Sequence, residues 1–520
     1  MTMQVPTIQL PDVFNAAGEF VDRHITEGRA GRIALHHEGR TFTYGQVSEM
    51  VNRVGNALCG LGVEMENRVL LLLYDSPEFA ASFFGAMKIG AVPVPVNTMM
   101  RAQDYEYFLN DSRAKMLIAH RPLWDEVAKV RGRLKYLRYV VIVGEPESDQ
   151  QAFDQWIAQA SPELEPAPTS KDDPAFWLYS SGSTGFPKGA VHLQHDMVYC
   201  ADLYARPILG IGPNDVTFSA AKLFFAYGLG NTLYFPFRVG ASAILYPGRP
   251  LPEMMFEIIS RDKPTIFFGV PTLYAAMLAI RDAETKYDLS SLRLCVSAGE
   301  ALPPELFRRW QERFGTEILD GIGTTEILHI FISNRPGGVK PGSSGMVVPG
   351  YEAKIVDEAG DPVTSGDIGT LLVKGESTCA YYWNQHDKTK QTIKGEWIVT
   401  GDKYSQDEDG YYWFAGRADD MLKVGGIWVS PIEVENTLIQ HSSVLEAAVV
   451  GHEDDDRLVK PKAFVVLNEG YTASSALEDE LKGFVKNKIA PYKYPRWITF
   501  VPELPKTATG KLQRFKLRKH

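Results

Sequence analysis

Strand-sized apolar runs set between longer mixed stretches recur along most of this chain, and that alternation restricts its fold more than any other feature. Val69–Tyr74, Lys115–Ala119 and Tyr139–Gly144 are short, apolar and partly β-branched, whereas Glu78–Ile89 is longer and mixed. The pattern predicts buried strands joined by helices in an α/β fold. It recurs at Val216–Ser219, Ala243–Tyr246, Thr265–Val270 and Leu292–Ser297. We therefore expect one large multilayered amino-terminal domain over residues 1–418. From about Lys340 the strand candidates shorten to Ala353–Val356, Gly369–Val373 and Trp397–Thr400, separated by Gly, Pro and acidic turns, which predicts a small β-rich subdomain. Beyond Gly416 the pattern resets. Ser430 can cap a helix with Pro431 at its first position and Glu433 three residues on, and Ala447–Val450 and Ala463–Leu467 read as strands. A small α+β domain over 419–520 is expected.

Composition narrows the function. At 520 residues, 45% hydrophobic and 23% charged, the chain has the make-up of a globular enzyme rather than a disordered or fibrous protein. Its formal charge of −10 argues against a broad nucleic-acid surface. The apolar runs are far too short to span a bilayer, and the first twenty residues lack a basic patch followed by an apolar core. A soluble cytoplasmic protein with no stable membrane association is expected. Cys59, Cys200, Cys295 and Cys379 are too scattered for a thiolate metal site. We read Cys200 and Cys295 as core thiols rather than nucleophiles.

Four segments carry the chemistry. Tyr179-Ser-Ser-Gly-Ser-Thr-Gly-Phe-Pro-Lys-Gly189 follows the apolar run Phe176–Leu178. Its small residues allow successive backbone N–H groups to turn toward one anion, its hydroxyls add donors, and Lys188 adds a positive charge. It is not a Walker loop, because Pro187 interrupts it and Gly189 follows the lysine. Asp320-Gly-Ile-Gly-Thr-Thr-Glu326 follows the strand candidate Glu317–Leu319. Its glycines permit close approach of a flat ligand and Glu326 can offer oxygen to Mg²⁺, although a strand-to-helix turn with an exposed glutamate accounts for it equally well. Asp402 and Arg417, in Thr400-Gly-Asp402 and Gly416-Arg417-Ala418-Asp419-Asp420, can meet ribose hydroxyls, or mark an acidic turn at a domain edge. Pro505-Lys-Thr-Ala-Thr-Gly-Lys511 presents an amine beside Gly510, or is a solvated tail.

Together and in this order the segments resemble the acyl-adenylate-forming superfamily of acyl-CoA synthetases, adenylation domains and luciferases, from about residue 25 to the last ten residues. SSGSTGFPKGAVHLQHDM, AKLFFAYGLG, SAGEALP and DGIGTTE are most similar to benzoate-CoA ligases. The resemblance implies ATP, Mg²⁺ and coenzyme A, with benzoate or a related small aromatic acid converted through an acyl-AMP to its thioester. Its alternatives are a substituted benzoate, a heteroaryl or cyclohexane carboxylate, or transfer to a carrier protein; a homodimer is allowed. It implies that Ser181, Gly182, Ser183, Thr184, Gly185 and Lys188 handle the ATP phosphates. Gly299, Glu300 and Ala301, with Asp320, Gly321 and Ile322, border the adenine. Thr325 meets the α-phosphate, Glu326 the magnesium, and Asp402 and Arg417 the ribose. Many relatives carry an aromatic residue where this chain has Ile322. Lys511 serves the first step, and Asp419 is the hinge on which the mobile carboxyl-terminal domain turns to bring Gly425 and Gly426 to the thioester site. Thr184, Lys188, Glu326 and Lys511 are the catalytic set. Phe225, Ala226, Tyr227 and Gly228, with Gly323 and His329, shape the acid pocket. His192 and His195 are read as hydrogen-bonding residues with no acid–base role.

Overall fold

The computed structural model describes residues 6–180, 187–418, 420–424, 427–454, 458–506 and 512–518. Two large sheets dominate the amino-terminal region. One is parallel and five-stranded, in the order Val92–Pro95, Arg68–Leu72, Met116–His120, Tyr139–Val143, Gln151–Ala152. The other has nine strands, parallel from Ile318–Gly323 across to Ile33–His37 and antiparallel at both ends. Strand Ile266–Gly269 shows why a continuous apolar run is needed here. Ile266 and Phe268 enter one hydrophobic core and Phe267 the core on the opposite face, so no position can be polar. Helix Pro77–Lys88 starts as its sequence requires, with Ser76 capping, its Oγ accepting from Phe79 N (3.4 Å), and Pro77 at the first position.

Four further sheets follow among the described residues, one of them the two-stranded pair Leu422–Val424 and Ile427–Val429. Pro174–Ser180 and Lys188–Leu193 form an antiparallel hairpin, joined on its far side by Tyr381–Tyr382. The β-rich unit pairs Glu352–Val356, Gly369–Lys374, Trp397–Gln406 and Ile393–Lys394, with Tyr412–Arg417 beside Trp397–Gln406. The carboxyl-terminal α+β unit has strands Val444–Glu453, Val459–Leu467 and Trp497–Phe500 under helices Pro431–Ile439 and Ser475–Lys488, with its own core around Val434, Leu438, Val465 and Leu481. Ser430 caps its first helix, the Oγ accepting from Glu433 N (3.3 Å). The two-domain α/β architecture, large then small, is as the alternation predicts.

Several strands outrun their apolar stretches. Trp397–Gln406 and Val444–Glu453 each have ten residues, because long antiparallel partners extend the ladder into polar sequence. A correction of the same kind concerns the glycine segment after Leu319, expected to leave the strand. Strand Ile318–Gly323 continues through Asp320, Gly321, Ile322 and Gly323, paired antiparallel with Ile330–Ser333. Among the described residues no helix is long and apolar enough to cross a membrane.

Candidate active site

The segment expected to bind an anion connects the two strands of a β-hairpin, with Ser180 directly opposite Lys188. Ser181, Gly182, Ser183, Thr184 and Gly185 lie outside the described residues, as do Lys511, Asp419, Gly425 and Gly426. The side chains flanking the hairpin connection converge on Glu326. Its Oε1 accepts from Tyr382 Oη (2.6 Å) and Ser180 Oγ (3.2 Å), with Lys188 Nζ at 3.9 Å. Lys188 Nζ also donates to Tyr382 Oη (3.2 Å) and lies 4.3 Å from the centre of that ring. Burial lowers the Lys188 ammonium from its ordinary value against the pull of Glu326, and Lys388 and Arg417 add to the lowering. Glu326 is therefore a half-buried, partnered carboxylate and not the tip of an exposed turn.

Thr325 and Glu326 belong to the 3₁₀ turn Thr325–Ile327, which Thr324 caps by accepting from Ile327 N (3.2 Å). Residues 322–326 are all half-exposed between buried neighbours, so this stretch comes to the surface at the side of Ser180 and Lys188. Leu328 then turns through φ +74°, a conformation costly for a bulky residue, and returns the chain to strand Ile330–Ser333. Asp320 Oδ2 accepts from Leu302 N (3.3 Å), which fastens the segment after Ala301 to this strand. Burial pushes the Asp320 carboxyl up to about 8. Asp402 and Arg417 face each other across two strands, Nη1 donating to Oδ1 at 2.8 Å.

The residues expected to shape the acid pocket lie near one another, Tyr227 beside His329. Phe225, Ala226 and Tyr227 are half-exposed, whereas Phe224 is buried and packs against Phe225 with ring centres 4.4 Å apart. Tyr227 Oη donates to the carbonyls of Gly269 and Val296 (3.3 Å each), and its ring lies 5.5 Å from His329. His329 is buried, Nε2 meeting Asn231 Oδ1 at 3.1 Å, and burial pushes its imidazole down to about 3, so it is neutral. The glycines serve the protein itself. A Cβ on Gly228 would stand 2.1 Å from the Lys222 carbonyl oxygen, and one on Gly323 2.6 Å from that of His329. The close approach expected of a flat ligand is made at these positions by backbone.

Ser180, Tyr382 and Asp75 went unassigned in the sequence. Tyr382 sits almost two hundred residues from Lys188 and reaches it because Tyr382 pairs with Ala190 across the hairpin, a long-range fact with no local signal. Asp75 is fully buried, and its Oδ1 accepts from Leu223 N (3.0 Å). Cys200 and Cys295 are buried, and burial pushes both thiols up to about 12, where they are inert.

The carboxyl-terminal unit meets the segment after Gly299 at Leu512, whose N–H donates to Glu300 Oε1 (2.9 Å). Residues 22–383 match the model of the AMP-binding enzymes, and 433–511 that of the AMP-binding enzyme C-terminal domain. A benzoate–CoA ligase of Thauera aromatica is 52% identical over 99% of this chain and 97% of its own length. The crystal structure of an anthranilate CoA ligase in complex with anthranoyl-AMP aligns with a TM-score of 0.95 at 50% identity, covering 98% of both chains. That of a benzoate CoA ligase from Burkholderia xenovorans aligns with 0.90 at 47% identity, over 97% of this chain and 100% of the other. The chain belongs to the AMP-binding enzyme family, as an AMP-forming acid–thiol ligase that uses ATP and coenzyme A to convert an aromatic or related carboxylic acid to its thioester.

Proposed function

We propose that the acid is a benzoate carrying no more than one small ring substituent. The observation that carries this is the wall of Phe225, Ala226 and Tyr227 set against neutral His329, which offers a ring apolar contact and little for a chain or a second charge. Benzoate itself needs no further partner. A second reading, 2-aminobenzoate, is favoured by His329 Nδ1, which is buried with no hydrogen-bond partner among the described residues and can accept from a ring N–H. The relatives named above divide between these two acids. A panel of benzoate, 2-aminobenzoate, 3- and 4-hydroxybenzoate, cyclohexane carboxylate and acetate, assayed for coenzyme A-dependent AMP formation with thioesters identified by mass, separates them. A clear preference for acetate or cyclohexane carboxylate overturns the proposal.

In the reaction the carboxylate oxygen attacks the α-phosphorus of ATP and pyrophosphate leaves; the coenzyme A thiolate then attacks the acyl carbon and AMP leaves. Lys188 and the hairpin connection with Thr184 would hold the phosphates, Thr325 the α-phosphate, and Asp402 and Arg417 the ribose. Gly299, Glu300, Ala301, Asp320, Gly321 and Ile322 would surround the adenine. Lys511 would stabilise the charge developing in the first step, and its neighbour Leu512 against Glu300 supports that placement. Glu326 with Ser180 suits Mg²⁺, which takes one or two carboxylates plus phosphate oxygens; no group of three or more metal-ligating side chains occurs among the described residues. When bound with ATP it would neutralise phosphate charge. We place the domain boundary at 418/419, the hinge at Asp419 and the thioester-forming segment at Gly425–Gly426, and take the enzyme to be cytoplasmic and a homodimer, the commonest closed assembly.

A further inference from the structure

The turn Thr325–Ile327 is held from behind by three consecutive carbonyls. Glu326 O accepts from Cys379 N (2.7 Å), Ile327 O from Ser377 Oγ (2.8 Å), and Thr325 O from His192 Nε2 (2.8 Å). Anchoring the carbonyls in one direction leaves the side chains of Thr324, Thr325 and Glu326 half-exposed. Two of the anchors are ordinary, a backbone amide and a hydroxyl. The third belongs to a chain of buried ionisable groups that the proposed chemistry does not use.

His192 is fully buried four residues beyond Lys188 on the same strand, and its ring stacks on Phe176 at 5.3 Å with an interplanar angle of 21°. Its Nδ1 lies 2.7 Å from Asp196 Oδ2, opposite the bond to Thr325 O. A carbonyl oxygen can only accept. Asp196 is buried too, and burial alone would raise its carboxyl, but contacts with His192 and His195 outweigh burial and hold it below the ordinary carboxylate range. Leu193 N–H also donates to Asp196 Oδ2 (3.1 Å), and His195 Nδ1 stands 3.0 Å from Oδ1. Nε2 therefore donates to Thr325 O, and Asp196 at Nδ1 fixes the orientation of the ring from the other side.

We infer that His192, backed by Asp196, is a positioning residue for the adenylation step, setting the Thr325–Glu326 turn against the phosphate end of the nucleotide. The inference rests on the proposed roles of Thr325 and Glu326. Strand Lys188–Leu193 would then control both sides of the nucleotide's phosphates, with Lys188 at its start and His192 near its end beneath the opposing turn.

The test is His192→Phe, which keeps the stacking and removes the donor, beside His192→Gln, whose amide can still donate to Thr325 O. Acid-dependent ATP–pyrophosphate exchange reports adenylation, and thioester formation from supplied aroyl-AMP reports the second step. His192→Phe is expected to lower kcat/KM for MgATP in exchange by about 10- to 100-fold. His192→Gln should recover part of that loss, with KM for the acid and the rate from supplied aroyl-AMP both within about threefold of the native enzyme. Equal losses in the two half-reactions, or native exchange in His192→Phe, would overturn the inference. Should His192→Phe not fold, His192→Gln decides alone: a deficit confined to MgATP supports the role, and a shared deficit or none refutes it. Absence of exchange in the native protein with every acid of the panel refutes instead the functional reading, and the inference falls with it.

Discussion

Glu326, Lys188 and Tyr382 show how much of a site can hang on one hydroxyl. Tyr382 Oη donates to the carboxylate and accepts from the ammonium, so it sets the separation of two groups that would otherwise close into an ion pair. Tyr382→Phe keeps the ring beneath Lys188 and removes that spacer. We expect kcat/KM for MgATP to fall about tenfold with KM for the acid unchanged, the scale of one hydrogen bond to a charged group, measured by steady-state AMP formation. A second prediction concerns pH. Burial pushes Asp320 up to about 8, so between the ordinary carboxylate value and pH 8 the folded chain keeps a proton that the unfolded chain has released. Stability therefore falls with rising pH through that window. Burial depresses His24 and His120 to about 4 and His329 to about 3, so below the ordinary imidazole value the unfolded chain takes up protons that the folded chain refuses, and stability falls as pH drops. Asp22, Asp75 and Asp111 are raised by burial and act in the same sense as Asp320, while His36 is lowered and acts with the other three histidines. On the alkaline side Asp320 acts unopposed by them, and His195, raised by Asp196 against the lowering effect of burial, loses its stabilising proton there too. The urea midpoint should decline from about pH 6.5, the unperturbed imidazole value, to pH 8. In Asp320→Asn the decline from there to pH 8 should be shallower; an unchanged slope would show that Asp320 is not the source.

At the scale of elements, many strands with both faces buried were legible, although the fully buried Ile330–Ser333 was not. Val216–Ser219 and Tyr139–Val143 lie almost where the sequence pattern predicts; Tyr139–Val143 is apolar on both faces, and in Val216–Ser219 the buried Thr217 and Ser219 hydroxyls donate to backbone carbonyls. Strand ends were less legible, since a ladder runs as far as its partner does, and that length is written elsewhere in the chain. The candidate site divides in the same way. Lys188, Thr325 and Glu326 sit in contiguous motifs, whereas Tyr382 and Asp75 act through pairings that no local pattern encodes. Helix Ala226–Leu229 shows both aspects. Phe225-Ala-Tyr-Gly228 is readable as an aromatic wall, but its position depends on Asp75 behind Leu223 and on Gly228 lying against the Lys222 carbonyl. Ala226 is half-exposed at the start of this turn, so a longer side chain there can project outward without entering the packed layer behind it. Ala226→Leu should lower kcat/KM for benzoate by about 10- to 100-fold, the scale of overfilling by a few methylenes, and leave KM for ATP unchanged. Gly228→Ala should instead impair folding, because its Cβ would stand 2.1 Å from a backbone oxygen. Equal use of every acid by native and Ala226→Leu enzymes would remove this helix from the pocket.

Across the whole molecule the two reaction steps ask one centre to be surrounded by different groups, and a small domain that changes its seat meets that demand. The contacts recorded here belong to one seat. Leu512 donates to Glu300, and the closing helix Arg514–Leu517 is tied within its own unit, Arg514 gripping both oxygens of Glu435 (2.9 and 2.8 Å) while Arg518 pairs with Asp420. The carboxyl-terminal tail would thus move with the segment that starts beside Asp419 if that residue is the hinge, and Leu512 is where the tail touches Glu300 of the large domain. The two ends of this device should fail in opposite ways. Glu300→Ala removes the acceptor for Leu512 and should slow acid-dependent ATP–pyrophosphate exchange about tenfold while sparing thioester formation from supplied aroyl-AMP; Glu300→Gln retains an acceptor and should lie nearer the native rate. Asp419→Pro fixes φ near −65° and should do the reverse, leaving exchange close to native and depressing thioester formation, because a backbone turn made between the steps is blocked. Measuring both half-reactions in both variants, with urea midpoints confirming that each is folded, gives a crossed pattern if the seat changes between steps. Parallel losses in the two half-reactions would mean that one arrangement of the domains serves the whole reaction.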